Sequence, residues 1–97
     1  MNRTDLTAAV AGATGLTPPR AAAAVAATLD AIVRGVDEHG SVTLAGFGTF
    51  ERRSRAARTG RHPRTGEPME IPASVTPAFR AAAAFRRRVA DGSSAEN

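Results

Sequence analysis

The chain predicts an α+β fold in which a helical hairpin comes first, a long antiparallel β-ribbon follows and a helix closes. Three observations predict it. Apolar residues recur at helical spacing up to His39, an alternating, Gly-bracketed stretch rich in arginine fills the middle, and a second helical stripe ends the chain. With 97 residues, four Phe, no Trp and no Tyr, one domain is expected, thinly supplied with large core groups. A second copy would supply the missing burial, so a homodimer is expected before any motif is considered.

The first helix runs from Asn2 or Thr4 to about Ala13, with Leu6, Ala9, Val10 and Ala13 on one face, and Gly12 and Gly15 mark its end. Thr17 followed by Pro18 starts the second, because the N–H that proline lacks would be orphaned there anyway. That helix reaches about His39, where Gly40 stops it, and Ala21, Val25, Leu29, Ile32, Val33 and Val36 form its apolar stripe. The hairpin could pass for a DNA-reading helix-turn-helix, but Asp30, Asp37 and Glu38 against Arg20 and Arg34 make its stripe a core or dimer face.

Val42 and Leu44, then Phe47, Thr49 and Glu51, give strand patterns on either side of a bend at Gly46 and Gly48. The second strand leaves the apolar pattern and becomes a ribbon returning through Met69, Ile71 and Val75, its short tip bracketed by Gly60 and Gly66. Thr76-Pro77 repeats the cap-plus-proline signal and predicts a last helix to about Val89, with Ala78, Ala82, Phe85 and Val89 on one face and Phe79 beside it. DGSSAEN has the composition of a frayed tail.

Charge separates the chain into halves. Residues 1–45 carry three arginines against four acidic residues, whereas residues 46–88 carry ten against three. Arg52, Arg53, Arg55, Arg58, Arg61 and Arg64 crowd one stretch with no acidic residue between them, so they call for an external polyanion. All 13 basic residues are Arg; codon bias explains that composition, yet it still favours phosphate forks and narrow minor grooves. Pro63 lies between arginines at the tip, and an apolar wedge flanked by Arg in the minor groove is a physical recipe for kinking a duplex.

Other chemistries are poorly served. Cysteine is absent, which removes disulfides, thiolate zinc sites and Cys nucleophiles. Glu51, Glu67 and Glu70 lie among arginines that keep them ionised, His39 reads as a helix C-terminal cap, and neither His39 nor His62 has a second ligand at metal spacing. Gly46-Phe47-Gly48 lacks the rest of a phosphate-binding fingerprint. The expectation is therefore no enzyme, no metal, no cofactor and no small-molecule substrate. The start MNRTDLTAAVAG has no secretory apolar stretch and no run approaches a membrane span, so a cytoplasmic chain without membrane partners is expected.

Met1-Asn2-Arg3-Thr4-Asp5-Leu6, Gly46-Phe47-Gly48-Thr49-Phe50, the run from Ala57 to Gly66, Ile71-Pro72-Ala73-Ser74 and Pro77-Ala78-Phe79 together resemble the bacterial histone-like HU family, related to integration host factor. The likeness spans essentially residues 1–90 as one domain. It implies an intertwined homodimer in which residues 1–45 form a mainly helical dimerisation base. Residues 46–78 would form a three-stranded antiparallel β-saddle with a DNA-binding arm at about 52–72, residues 77–90 the last helix and 91–97 a flexible tail. A heterodimer with a paralogue is the alternative to that homodimer.

Carried onto this sequence, the resemblance makes Pro63 the intercalating wedge, with Arg58, Arg61, Arg64 and Thr65 lining the groove. Arg53 and Arg55 would follow the lower arm, while Arg3 and Arg86 would touch the flanks; Arg80 joins the DNA-binding set as a basic residue that compensates where this chain departs from the pattern. Leu29, Ile32, Val36, Leu44, Phe47, Phe50, Phe79 and Phe85 would make the dimer core. The implied function is non-enzymatic binding, bending and compaction of double-stranded DNA in the nucleoid, through the minor groove and with little sequence preference. The alternatives are a sequence- or shape-selective bender like integration host factor, and a dimeric RNA-binding or protein-interaction module. His62 stands where relatives usually carry Asn, Pro68 and Glu70 replace residues more often acidic and basic, and Ala82-Ala83 replaces a common Gly-Lys pair. These departures would reduce or redirect DNA contact.

Overall fold

A computed structural model describes residues 1–96, with side-chain environments to residue 92. Helix α1 (Arg3–Thr14) starts in a capping box: Asn2 Oδ1 accepts from the Asp5 amide while the Asp5 carboxylate accepts from the Asn2 amide. It ends at Gly15, whose φ of 75° gives the left-handed turn. Helix α2 (Pro18–His39) begins behind Thr17, with proline supplying the start and the Thr17 hydroxyl making no cap bond. Ala21 and Val25 are the buried residues of α2, so the first half of the predicted stripe packs on α1.

The second half of that stripe meets the sheet. Strands β1 (Ser41–Leu44), β2 (Gly48–Arg55) and β5 (Ser74–Ala81) form an antiparallel sheet in that order. Ile32, Val33 and Val36 of α2 share an open groove with Phe50, Pro77, Ala78 and Phe79. Four phenyl rings cluster at this end, Phe50 and Phe79 with centroids 4.7 Å apart and Phe47 and Phe85 at 5.0 Å. Within one chain the cluster is unfinished: Phe47 remains 44% and Phe79 41% exposed, and Val33 reaches 68%.

The whole chain shares this openness. It exposes 7785 Å², against the roughly 5,200 Å² expected of a compact monomer of this mass. Its radius of gyration is 19.3 Å, where about 12.5 Å would describe a compact chain of this length. Part of the excess is an apolar face without a cover; the rest is the arm.

Two boundaries differ from the sequence reading. Residues 77–81 belong to β5, and helix α3 starts at Ala83 and runs to Glu96 (Ala83–Glu96), so the 77–90 helix begins six residues late. Pro77 sits opposite Arg52 on an edge strand, where a missing N–H is tolerated. Residues 91–96 continue the helix where a frayed tail is expected, since no proline follows Val89 to break its ladder; Asn97 lies outside the described residues.

Arg52 has a duty within the fold as well as an exposed guanidinium. Its amide donates to Gly40 O at 3.0 Å and its Nη1 to Asp37 O at 3.3 Å, tying β2 to the C-terminus of α2. A cation there satisfies orphan carbonyls and meets the negative end of the helix dipole. Arg52→Met is therefore expected to lower stability by roughly 0.5–1 kcal/mol in thermal melts.

Candidate nucleic-acid interface

Strand registry sorts the sheet into two faces, because successive side chains point to opposite sides. Phe50 lies opposite Phe79 and Val42, which places Val42, Leu44, Phe50, Phe79 and Val75 on the helix-facing side. The other side carries Ser41 and Thr43 from β1, Thr49, Glu51, Arg53 and Arg55 from β2, and Ser74, Thr76 and Arg80 from β5. Thr43 and Thr49 share a hydroxyl hydrogen bond at 3.2 Å, and Glu51 holds Arg53 in an ion pair at 3.1 Å. This is a basic, hydroxyl-rich surface of the kind that meets phosphates.

The arm continues from that sheet. Beyond Arg55↔Ser74 the pairing lapses for two residues on each strand, Ala56-Ala57 and Pro72-Ala73, and resumes at Arg58↔Ile71. Pro72 lacks the N–H a ladder would use. The outer ribbon pairs β3 (Arg58–Arg61) with β4 (Pro68–Ile71), and equal gaps keep the two strands in register with each other. The Ile71 side chain reaches diagonally over Gly60, where a Cβ would come within 2.7 Å of its Cδ1, so this close approach calls for glycine.

The tip is a hydrogen-bonded loop. The His62 amide donates to Glu67 O at 2.8 Å, and the Gly66 amide donates to His62 O at 2.9 Å, with Gly66 at φ 70°. His62 Nδ1 accepts from the Arg64 amide at 3.2 Å, Thr65 Oγ1 accepts from the Glu67 amide at 3.3 Å, and Arg61 Nη1 donates to Gly66 O at 3.0 Å. Pro63 therefore stands exposed at the outer end of a two-stranded arm, between Arg61 and Arg64.

The predicted residues fall into three groups. Arg53, Arg55 and Arg80 share the polar sheet face; Arg58, Arg61, Pro63, Arg64 and Thr65 form the arm and tip; Arg3 and Arg86 stand apart on α1 and α3. Arg61 and Thr65 have second duties in holding the loop, each retaining donors for an outside partner. The hydroxyls of Ser41, Thr43, Thr49, Ser74 and Thr76 were not anticipated; their signal is the alternation opposite the phenylalanines. No cluster of three metal-ligating side chains occurs among the described residues, and no helix among them is long and apolar enough to cross a membrane.

Comparison with known proteins fits this geometry. Residues 1–90 match the family model described as bacterial DNA-binding protein. The DNA-binding protein HU of Nostoc sp. is 48% identical over 90 residues, covering 93% of this chain and 96% of its own. That of Geobacillus stearothermophilus is 49% identical over 89 residues, covering 92% and 99%. Among solved structures, an Anabaena HU–DNA cocrystal structure superposes with a TM-score of 0.81 at 48% identity, covering 93% of this chain and 98% of that one.

Proposed function

The chain belongs to the bacterial DNA-binding protein family, and from that premise we propose that it binds, bends and compacts double-stranded DNA as a homodimer with little sequence preference. It is a nucleoid-associated architectural protein, acting in the bacterial cytoplasm where the nucleoid lies. The observation that carries this reading is the tip: an exposed proline, flanked by arginines, at the end of a two-stranded arm that itself has almost nothing to bury. The open aromatic face and the excess surface support a second copy that would complete the core and set two arms at a fixed spacing.

In this mechanism the polar sheet face receives the duplex, with Arg53, Arg55 and Arg80 on its phosphates. Arg58, Arg61, Arg64 and Thr65 follow the minor groove, Arg3 and Arg86 reach the flanking backbone, and Pro63 enters between base steps. Affinity comes from counterion release, and the contacts that a bend permits offset a deformation cost of a few kcal/mol. Relatives named as DNA-binding proteins weigh against the RNA-binding and protein-interaction readings.

Two measurements test the proposal. Affinities for unrelated duplexes should agree within a few-fold and fall steeply with salt, and a single strongly preferred site would replace it with selective bending. Pro63→Ala should bind nearly as tightly but bend far less, read by fluorescence transfer across an end-labelled duplex. An unchanged bend would remove the wedge.

A further inference from the structure

We infer that His62 is a positioning residue for the wedge: its unprotonated Nδ1, by accepting the Arg64 amide, sets the angle at which Pro63 leaves the arm. The inference rests on the bending role given above to Pro63. Proline has no N–H of its own and fixes only its φ, so its direction must be set by its neighbours. Residues 61–70 are all exposed, so no packed core holds the tip and hydrogen bonds must do so.

Four of those bonds close the wider loop, two of them through the His62 backbone and the others through Arg61 and Thr65. The bond from the Arg64 amide to His62 Nδ1 is the tightest around the wedge, because it joins the residues immediately before and after Pro63. An acceptor two residues before the donor is the pattern by which Asn and Asp fix turns, and an imidazole fulfils it only while Nδ1 keeps its lone pair.

The experiment follows bend and affinity together on the full chain at pH 8, using transfer across an end-labelled random-sequence duplex and anisotropy on the same duplex. The wild type and His62→Asn should bend alike, since the Asn carbonyl can accept the same N–H. His62→Ala should shift the ratio of bent to unbent complexes down about five-fold, the scale of one neutral hydrogen bond. All three should bind within a few-fold of one another, so that the change lies in the bend and is rescued by Asn. Equal bending by His62→Ala, or a His62→Asn that bends no better than His62→Ala, overturns the assignment alone. A wild type that binds at pH 8 without bending overturns the wedge reading, and this inference with it.

Discussion

Gly48→Ala should be the most damaging small substitution in the chain. A Cβ at position 48 would stand 2.5 Å from Phe79 Cζ, 2.6 Å from Phe79 Cε1 and 2.6 Å from the Arg80 carbonyl oxygen. The ring could swing away only by disturbing its neighbours Phe47, Phe50 and Phe85, and the carbonyl belongs to the strand paired with β2, so backbone must move too. Overpacking of well-filled cores costs about 1–3 kcal/mol, and a clash with backbone belongs at the upper end. At 4–8 °C per kcal/mol for a chain this short, the melting temperature should fall by roughly 12–24 °C. The same rings form the face assigned to the second copy, so light scattering should show the dimer weakened as well. A melt within a few degrees of the parent would mean that β5 is free to shift, and that the aromatic cluster does not fix the arms.

The largest functional effect should come from Arg58→Gln, Arg61→Gln and Arg64→Gln combined, which strips six charges from the two arms of a dimer while leaving the three-stranded sheet and the helices unaltered and losing one bond of the tip loop, from Arg61. Each neutralised phosphate contributes about 0.9 to the slope of log affinity against log salt, so the slope should flatten by roughly 5. Between 50 and 200 mM salt the parent should then lose about a thousandfold more affinity than the variant. Electrophoretic or anisotropy titrations at several salt concentrations measure this directly, and an unaltered melt shows that the fold survives. A slope that hardly moves would place the phosphate contacts on Arg53, Arg55 and Arg80 and reduce the arm to a shape-reading device.

Much of this was legible in the residues, and the failures are instructive. Thr17-Pro18 and Thr76-Pro77 carry the same local signal, yet only the first opens a helix. The difference is non-local: residues 74–81 have a partner strand in 48–55, and no cap rule sees that partner. The phenylalanines were recognisable as core, because they are the large apolar groups in a chain otherwise rich in alanine. Which arginines face outward was less accessible. Arg52 and Arg53 are neighbours of identical chemistry, and strand alternation sends one to the end of α2 and the other to the open sheet face beside Glu51. The hydroxyls on that face were overlooked for the related reason that Ser and Thr acquire meaning only through registry.

The two unpaired positions on each strand, Ala56-Ala57 against Pro72-Ala73, have a consequence for how such arms can vary in length. Equal changes in both strands keep the outer pairing aligned, whereas a residue lost from one strand alone would break it at every outer pair. Each pair added or removed alters reach by about 3.4 Å, near the rise of one base pair. Arm length in this architecture therefore changes in steps commensurate with the polymer it grips.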